Sequence, residues 1–180
     1  MKKFILLITL SRILFAPLIF ISIIFELYLL GLMLMLLSGI TDFLDGFLAR
    51  RNNLTSDLGR ILDPIADKIL ICFSLIAISI SLNSIFIAFS SAVIIAREIW
   101  VSGLRDFNSL TSNLSATEVT FLAKSKTSLQ IITICMYLIG LLINNALIIF
   151  LSDWVLFISV LITIKTGLDY SSKSKIWSKN

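Results

Sequence analysis

Four aspartates carry the first chemical signal. Asp42 and Asp45 are three residues apart, Asp63 and Asp67 four apart, and small residues accompany both pairs: Gly46 and Ala49 in the first stretch, Gly59 in the second. At about 100° of turn per residue on a helix, Asp42, Asp45, Gly46 and Ala49 share an arc of about 100°, and Gly59, Asp63 and Asp67 an arc of about 80°. Two neighbouring antiparallel helices would then aim four carboxylates at one point. Unpaired, the four cannot all stay ionised there, because like charges raise one another's pKa. A divalent metal removes the conflict. Hard oxygen ligands suit Mg²⁺ or Mn²⁺, four carboxylates suffice for two ions, and paired ions are a recurrent solution for phosphoryl chemistry. The small residues leave room for a bulky group such as a nucleotide to approach the backbone. The plainer alternative has these aspartates capping helices or pairing with Arg50, Arg51, Arg60 and Lys68. It accounts for one or two of them, not for all four beside the glycines.

A second group is cationic. Arg97 and Arg105 are eight residues apart, about 80° on a helix, so both can face one pocket. Lys124 and Lys126 follow a loop later, with Thr127 next to them and Gln130 one turn on. Four cations from two elements form a pocket for an anion, and a phosphate on a second substrate would use them. The competing explanation is that they are charges at a membrane edge, strongest for a single lysine such as Lys126 and weakest for Arg97, which lies deeper in its span. Histidine is absent. That excludes Ser-His-Asp and Cys-His catalysis and histidine metal ligands, and it leaves a carboxylate as the base at neutral pH. Cys72 and Cys135 lie in apolar stretches far apart and read as small buried hydrophobes, not as a disulfide or a zinc site.

The elements that must position these groups are membrane spans. The chain has 180 residues, 58% of them hydrophobic and only 14% charged, with mean hydropathy +1.02. A soluble domain carries about 25% charged residues. A span needs about 20 apolar residues, and six candidates are found near 10–26, 28–50, 59–81, 84–105, 122–143 and 146–168. Short connections make these one all-α bundle of six transmembrane helices and one domain over 1–180. Pro17 falls inside the first span and Pro64 near the start of the third, where proline kinks a helix. Residues 2–11 fit a short amphipathic interfacial helix leading into the first span. The N-terminus also resembles a secretory leader, but Arg12 interrupts its apolar run and no small-x-small cleavage site follows before Glu26.

With the N-terminus on the cytoplasmic side, all 15 Lys and Arg residues fall on that side, and the opposite turns near Glu26, Ser81–Ser84 and Asn144–Asn145 hold none. The expected location is therefore the cytoplasmic membrane, multi-pass, with both termini and the aspartate cluster facing the cytoplasm. The pI of 9.2 reports this topology and the company of anionic lipid headgroups, not a nucleic-acid partner. Asp153 in the last span is left open between the bundle interior and the outer interface. Residues 106–121 are left open between a cytoplasmic loop and a lid.

The run Asp42-x2-Asp45-Gly46-x2-Ala49-Arg50-x8-Gly59-x3-Asp63-x3-Asp67 resembles the signature of the CDP-alcohol phosphatidyltransferase family at every position. Six spans, a cytoplasmic site and a basic cytoplasmic face are also similar to that family, and the resemblance implies a homodimer. It implies transfer of a phosphatidyl group from CDP-diacylglycerol to an alcohol with release of CMP. Asp42, Asp45, Asp63 and Asp67 would hold two divalent ions, Mg²⁺ or Mn²⁺, and Asp67 would also be the general base. Gly46, Ala49, Arg50 and Gly59 would receive the CDP moiety, joined by Ser56 from the connecting loop. Arg97-Glu98-x4-Gly103-Leu104-Arg105 and Lys124-x-Lys126-Thr127-x2-Gln130 are similar to the branch that uses sn-glycerol 3-phosphate, so Arg97, Arg105, Lys124 and Lys126 would bind the acceptor's phosphate. An N-terminal Asn-x2-Thr-x2-Arg pattern is kept in part. Thr9, Arg12 and Pro17 fit it, with Thr9 a nucleotide contact, while Leu6 stands where the family has Asn. Ala123 stands where a Gly precedes Lys124. Three other readings compete: sibling branches that use phosphatidylglycerol or inositol phosphate as acceptor, a divalent-cation transporter, and an inactive scaffold. A transporter would place its charges near the midplane, often within a repeat, and neither feature is present.

Overall fold

The computed structural model describes the backbone of residues 2–52, 57–110 and 121–174, and the side chains of residues 10–41, 62–109, 126–172 and 174. Six helices make up these residues: α1 (Lys2–Ile24), α2 (Tyr28–Asn52), α3 (Asp57–Ser81), α4 (Ile85–Leu110), α5 (Phe121–Leu142) and α6 (Ala146–Lys173). Among the described residues, Leu62–Ser81, Ile85–Ser109 and Ala146–Ser172 are long and apolar enough to cross a membrane. Leu10–Ile24, Tyr28–Thr41 and Lys126–Leu142 are shorter apolar helical segments. The protein is a multi-pass membrane protein, and its described residues form helices joined by turns.

The interfacial helix expected over residues 2–11 is not a separate element. α1 runs unbroken from Lys2 to Ile24 with Pro17 inside it. The charge of Arg12 does not end the helix, because it is neutralised by carboxylates from α3, described below. α4 continues to Leu110, beyond the hydrophobic run that marked its span, so residues 106–110 are helix; residues 111–120 lie outside the described residues.

Three tight turns join α1 to α2, α3 to α4 and α5 to α6, and they share one backbone solution. Glu26, Asn83 and Asn144 adopt φ of 60°, 45° and 50°. Around each, one N–H reaches back to close the helix end: Leu27 N to Ser22 O at 2.8 Å, Ser84 N to Ser79 O at 3.1 Å, Asn145 N to Gly140 O at 2.9 Å. This is the Schellman stop, which satisfies carbonyls that would otherwise face apolar surroundings. Asn tolerates the left-handed conformation better than most residues, and two of the three turns use it. Asn145 then caps α6, its side chain accepting from the Leu147 and Ile148 backbone N–H groups.

The helices close into a ring in the order α1, α3, α4, α6, α5, α2, with α3 also touching α5 across the middle. Ala16, Ile19, Ile23, Met35, Leu75, Ile78, Ile134, Tyr137, Leu138 and Leu156 form a continuous buried core. Hydroxyls within it return to their own helix: Ser74 donates to Leu70 O, Ser91 to Ile87 O and Ser152 to Ile148 O. Such local bonds satisfy a polar group without water. Gly140 lets α5 approach α6, since a Cβ there would stand 2.9 Å from Ile149 Cγ1 and 3.2 Å from its backbone nitrogen. Asp153, left open by the sequence, faces the bundle far enough to accept the Tyr137 hydroxyl at 2.6 Å. Leu14, Leu18, Phe25, Ile85, Phe89, Leu147, Phe150, Leu161 and Leu168 remain exposed on the outside of the ring, as lipid contact requires.

Candidate active site

At the end of the bundle opposite the three turns, α2, α3, α4 and α5 surround a cavity of about 480 Å³. That volume lies in the range of small-molecule sites. Asp63, Asp67 and Lys68 of α3 line it on one side, and Arg97, Glu98, Arg105 and Lys126 of α4 and α5 on the other, with Thr127 and Gln130 beside them.

The α3 wall presents two carboxylates. Asp63 and Asp67 are one turn apart, and both carboxylates meet Arg12 of α1. Arg12 Nη2 donates to Asp63 Oδ1 at 2.9 Å and Nη1 to Asp67 Oδ1 at 2.8 Å. The arginine side chain is 1% exposed, the two carboxylates 42% and 34%. A guanidinium fork is therefore buried behind two carboxylates that open into the cavity. Pro64 lies between them and lines the same cavity without ending α3. Next to them, the Lys68 ammonium donates to Ser102 Oγ on α4.

The facing wall is cationic and braced. Arg97 Nε donates to Thr163 O at 3.1 Å, Nη2 to Thr166 Oγ1 at 2.8 Å and Nη1 to Glu98 Oε1 at 2.9 Å. The same Glu98 oxygen accepts from the Lys126 ammonium. One carboxylate thus ties two cations from α4 and α5, and α6 holds the arginine from behind. Gly167 makes that possible, because a Cβ there would stand 3.0 Å from Arg97 Cγ. Arg105 Nη2 donates to the Tyr170 hydroxyl at 2.8 Å, and its guanidinium carbon lies 4.8 Å from the ring centroid of that tyrosine. Its Nε is buried with no partner among the described residues. Two arginines and a lysine against one carboxylate leave this wall net positive, an environment that attracts an anion.

The structure thus brings Asp63, Asp67, Arg97, Arg105 and Lys126 to one cavity. Ser38 and Gly39 of α2 line it too, and Asp42 follows one turn later on that helix. Asp42, Asp45, Gly46, Ala49 and Arg50 belong to α2, Gly59 to α3, Thr9 to α1 and Lys124 to α5; their side chains lie outside the described residues, and Ser56 lies outside them altogether. Sequence reasoning gave no role to Arg12 at the carboxylates, to Glu98 between the cations, or to Thr163, Thr166 and Tyr170 of α6. A lone cation in an apolar run was the available signal for Arg12. Thr163, Thr166 and Tyr170 recur at i, i+3 and i+7 with Gly167 among them, a polar stripe on one face of the last span.

Clustered carboxylates on one wall, clustered cations on the other and a cavity between them define a membrane enzyme that brings anionic groups together. Across residues 6–165 the chain matches the CDP-alcohol phosphatidyltransferase family, and it belongs to that family. Members of the family generally depend on a divalent metal. Asp63 and Asp67 fit such a metal by the chemistry of their donors, two hard carboxylate groups on one helix face opening into the cavity. The chain is similar to the CDP-diacylglycerol–glycerol-3-phosphate 3-phosphatidyltransferase of Rickettsia bellii, 37% identical over 148 residues, covering 82% of this chain and 80% of that protein. It is 36% identical over 151 residues to the protein of the same name from Rickettsia typhi, covering 82% of each. It is 39% identical over 99 residues to that of Wigglesworthia glossinidia brevipalpis, covering 55% of this chain and 54% of that protein.

Proposed function

We propose that the chain transfers the phosphatidyl group of CDP-diacylglycerol to sn-glycerol 3-phosphate, giving phosphatidylglycerophosphate and CMP. The observation that carries this reading is one cavity that places the carboxylates of Asp63 and Asp67 on α3 across from the cations Arg97, Arg105 and Lys126. An acceptor with its own phosphate needs the cationic wall, and the names of the relatives supply the acceptor.

In this reading Asp42, Asp45, Asp63 and Asp67 hold two divalent ions, Mg²⁺ or Mn²⁺. When bound, these neutralise the pyrophosphate and stabilise the departing CMP. Gly46, Ala49, Arg50, Gly59, Ser56 and Thr9 receive the nucleotide end. Arg97, Arg105, Lys124 and Lys126 hold the phosphate of the acceptor, and the bracing of Arg97 by Thr163, Thr166 and Glu98 fixes it in advance of binding, which lowers the ordering cost. The 1-hydroxyl then faces the β-phosphorus. Asp67 takes its proton as the new P–O bond forms, and the bond to CMP breaks. In the same reading the cavity and both termini face the cytoplasm at the inner membrane, which the positive-inside pattern supports, and the working unit is a homodimer.

The experiment is release of CMP by the purified protein from CDP-diacylglycerol with Mg²⁺ and one acceptor at a time. Glycerol 3-phosphate supports release. Release with phosphatidylglycerol or inositol phosphate instead would overturn the acceptor, and no release with any of the three would overturn the enzyme reading. A reporter fused after Asn180 registers on the cytoplasmic side; an outside signal would reverse the topology.

A further inference from the structure

Between Lys3 and Arg50, Arg12 is the sole basic residue of the chain, and it is 1% exposed in a run of apolar side chains. A buried guanidinium persists only where carboxylates neutralise it. Cohesion between α1 and α3 does not require it, because Ala16, Ile19 and Ile23 of α1 already join Leu70, Ile71, Leu75 and Ile78 of α3 in one core, and Phe20 meets Phe73 edge-on at 6.0 Å. A simple tie would also use one carboxylate. Here the two terminal nitrogens divide between two carboxylates one helical turn apart, at 2.8 and 2.9 Å. A guanidinium is a rigid planar fork. Each carboxylate oxygen that accepts from it is directed by that plane, so the two carboxylates are oriented relative to each other.

We propose that Arg12 is a positioning residue of the active site: it acts through Asp63 and Asp67, aiming their carboxylates into the cavity, and it is a standing cation with which a divalent ion competes for them. This deepens the metal-site reading above and rests on it. Two consequences have opposite signs. Removing the charge leaves both carboxylates more available to a divalent cation, so binding tightens. Removing the fork lets the carboxylates reorient, so turnover falls. Arginine and lysine are separated by the same logic: an ammonium keeps the charge but is a point donor without a plane.

The test uses the full-length protein in detergent, with Mn²⁺ titrated by electron paramagnetic resonance in the absence of lipid substrate, and kcat and KM measured from CMP release. Arg12→Gln binds Mn²⁺ about fivefold tighter or more, because a cation is removed next to the ligand oxygens. Its kcat falls about tenfold or more while KM for CDP-diacylglycerol stays within about threefold, as expected when positioning rather than binding is lost. Arg12→Lys keeps Mn²⁺ affinity within about twofold and loses kcat to a similar extent. Wild-type kcat in Arg12→Lys overturns the proposal, as does weaker Mn²⁺ binding in Arg12→Gln, the result expected of a pair that only supports the fold. If Arg12→Gln is not recovered folded, the kcat of Arg12→Lys decides alone. Asp67→Asn is the control for the site itself. If it keeps both Mn²⁺ binding and turnover, the underlying metal reading fails; if it loses them while both Arg12 variants behave as wild type, only the role of Arg12 fails.

Discussion

The two ends of this bundle solve the same problem with different chemistry. At the turn end, helices are joined by three Schellman stops and held by apolar packing, with hydroxyls bonded back to their own helices. The charges of that half are Glu26 and Asp153, and Asp153 accepts from Tyr137. At the opposite end, helices are tied by charged groups: α1 to α3 through the ion pairs of Arg12, α4 to α5 through Glu98 and Lys126, and α4 to α6 through the hydrogen bond from Arg97 to Thr166. Buried ion pairs are a poor way to stabilise a fold, since desolvation offsets most of the attraction. Their concentration around one cavity is explained by what the cavity does. The turn end is built for cohesion, and the charged end gives up some cohesion for chemistry.

Substitutions at the two ends are therefore expected to separate activity from stability. The largest effect belongs to Asp67→Asn, which removes the proposed base and a metal ligand: kcat falls by about 10³-fold or more, far beyond what the loss of one of the two carboxylate partners of Arg12 costs in stability. A stable variant with near-normal kcat would break the contrast. Next is Arg97→Met, which leaves Glu98 and Lys126 without their arginine and opens the cationic wall. KM for glycerol 3-phosphate rises about 30-fold or more, the cost of one lost charged hydrogen bond to phosphate. Smaller is Gly167→Ala. Its new methyl group presses on Arg97 Cγ at 3.0 Å, and KM for the acceptor rises about three- to tenfold, because a displaced side chain of this length can partly recover. Smallest in activity is Tyr137→Phe at the turn end. It removes the hydrogen bond to Asp153, costs about 1 kcal/mol of stability, and leaves kcat and both KM values unchanged. A large loss of activity there would show that the two ends are coupled.

The architecture was largely legible because apolar runs and turn residues speak directly. All six helices were found, and the three turns fall at Glu26, at Ser81–Ser84 and at Asn144–Asn145, where the hydrophobic runs stop. Helix ends at the charged end were not legible. α1 starts at Lys2, α4 reaches Leu110 and α6 reaches Lys173, because a hydropathy run measures the thickness of the hydrocarbon while a helix continues until something stops it. In the site, charged residues were visible because a charge in an apolar chain is rare. Their partners were not. Thr163, Thr166 and Tyr170 are ordinary residues for a membrane helix, and only the packing of α6 on α4 gives them a cation to hold. Glu98 stood in a recognisable motif with no assigned role, since its lysine partner comes from another helix. Arg12 interrupts an apolar run and fits a family pattern, but its two aspartates are about fifty residues away, a distance that spacing rules on one helix cannot bridge.

The central claim is that one cavity joins a carboxylate wall for the nucleotide lipid to a cationic wall for a second, phosphate-bearing substrate. It is tested most directly by the two KM values of Lys126→Met, measured by CMP release in detergent. KM for glycerol 3-phosphate rises about 30-fold or more while KM for CDP-diacylglycerol stays within about threefold. A rise confined to CDP-diacylglycerol, or no change in either value, would contradict the account.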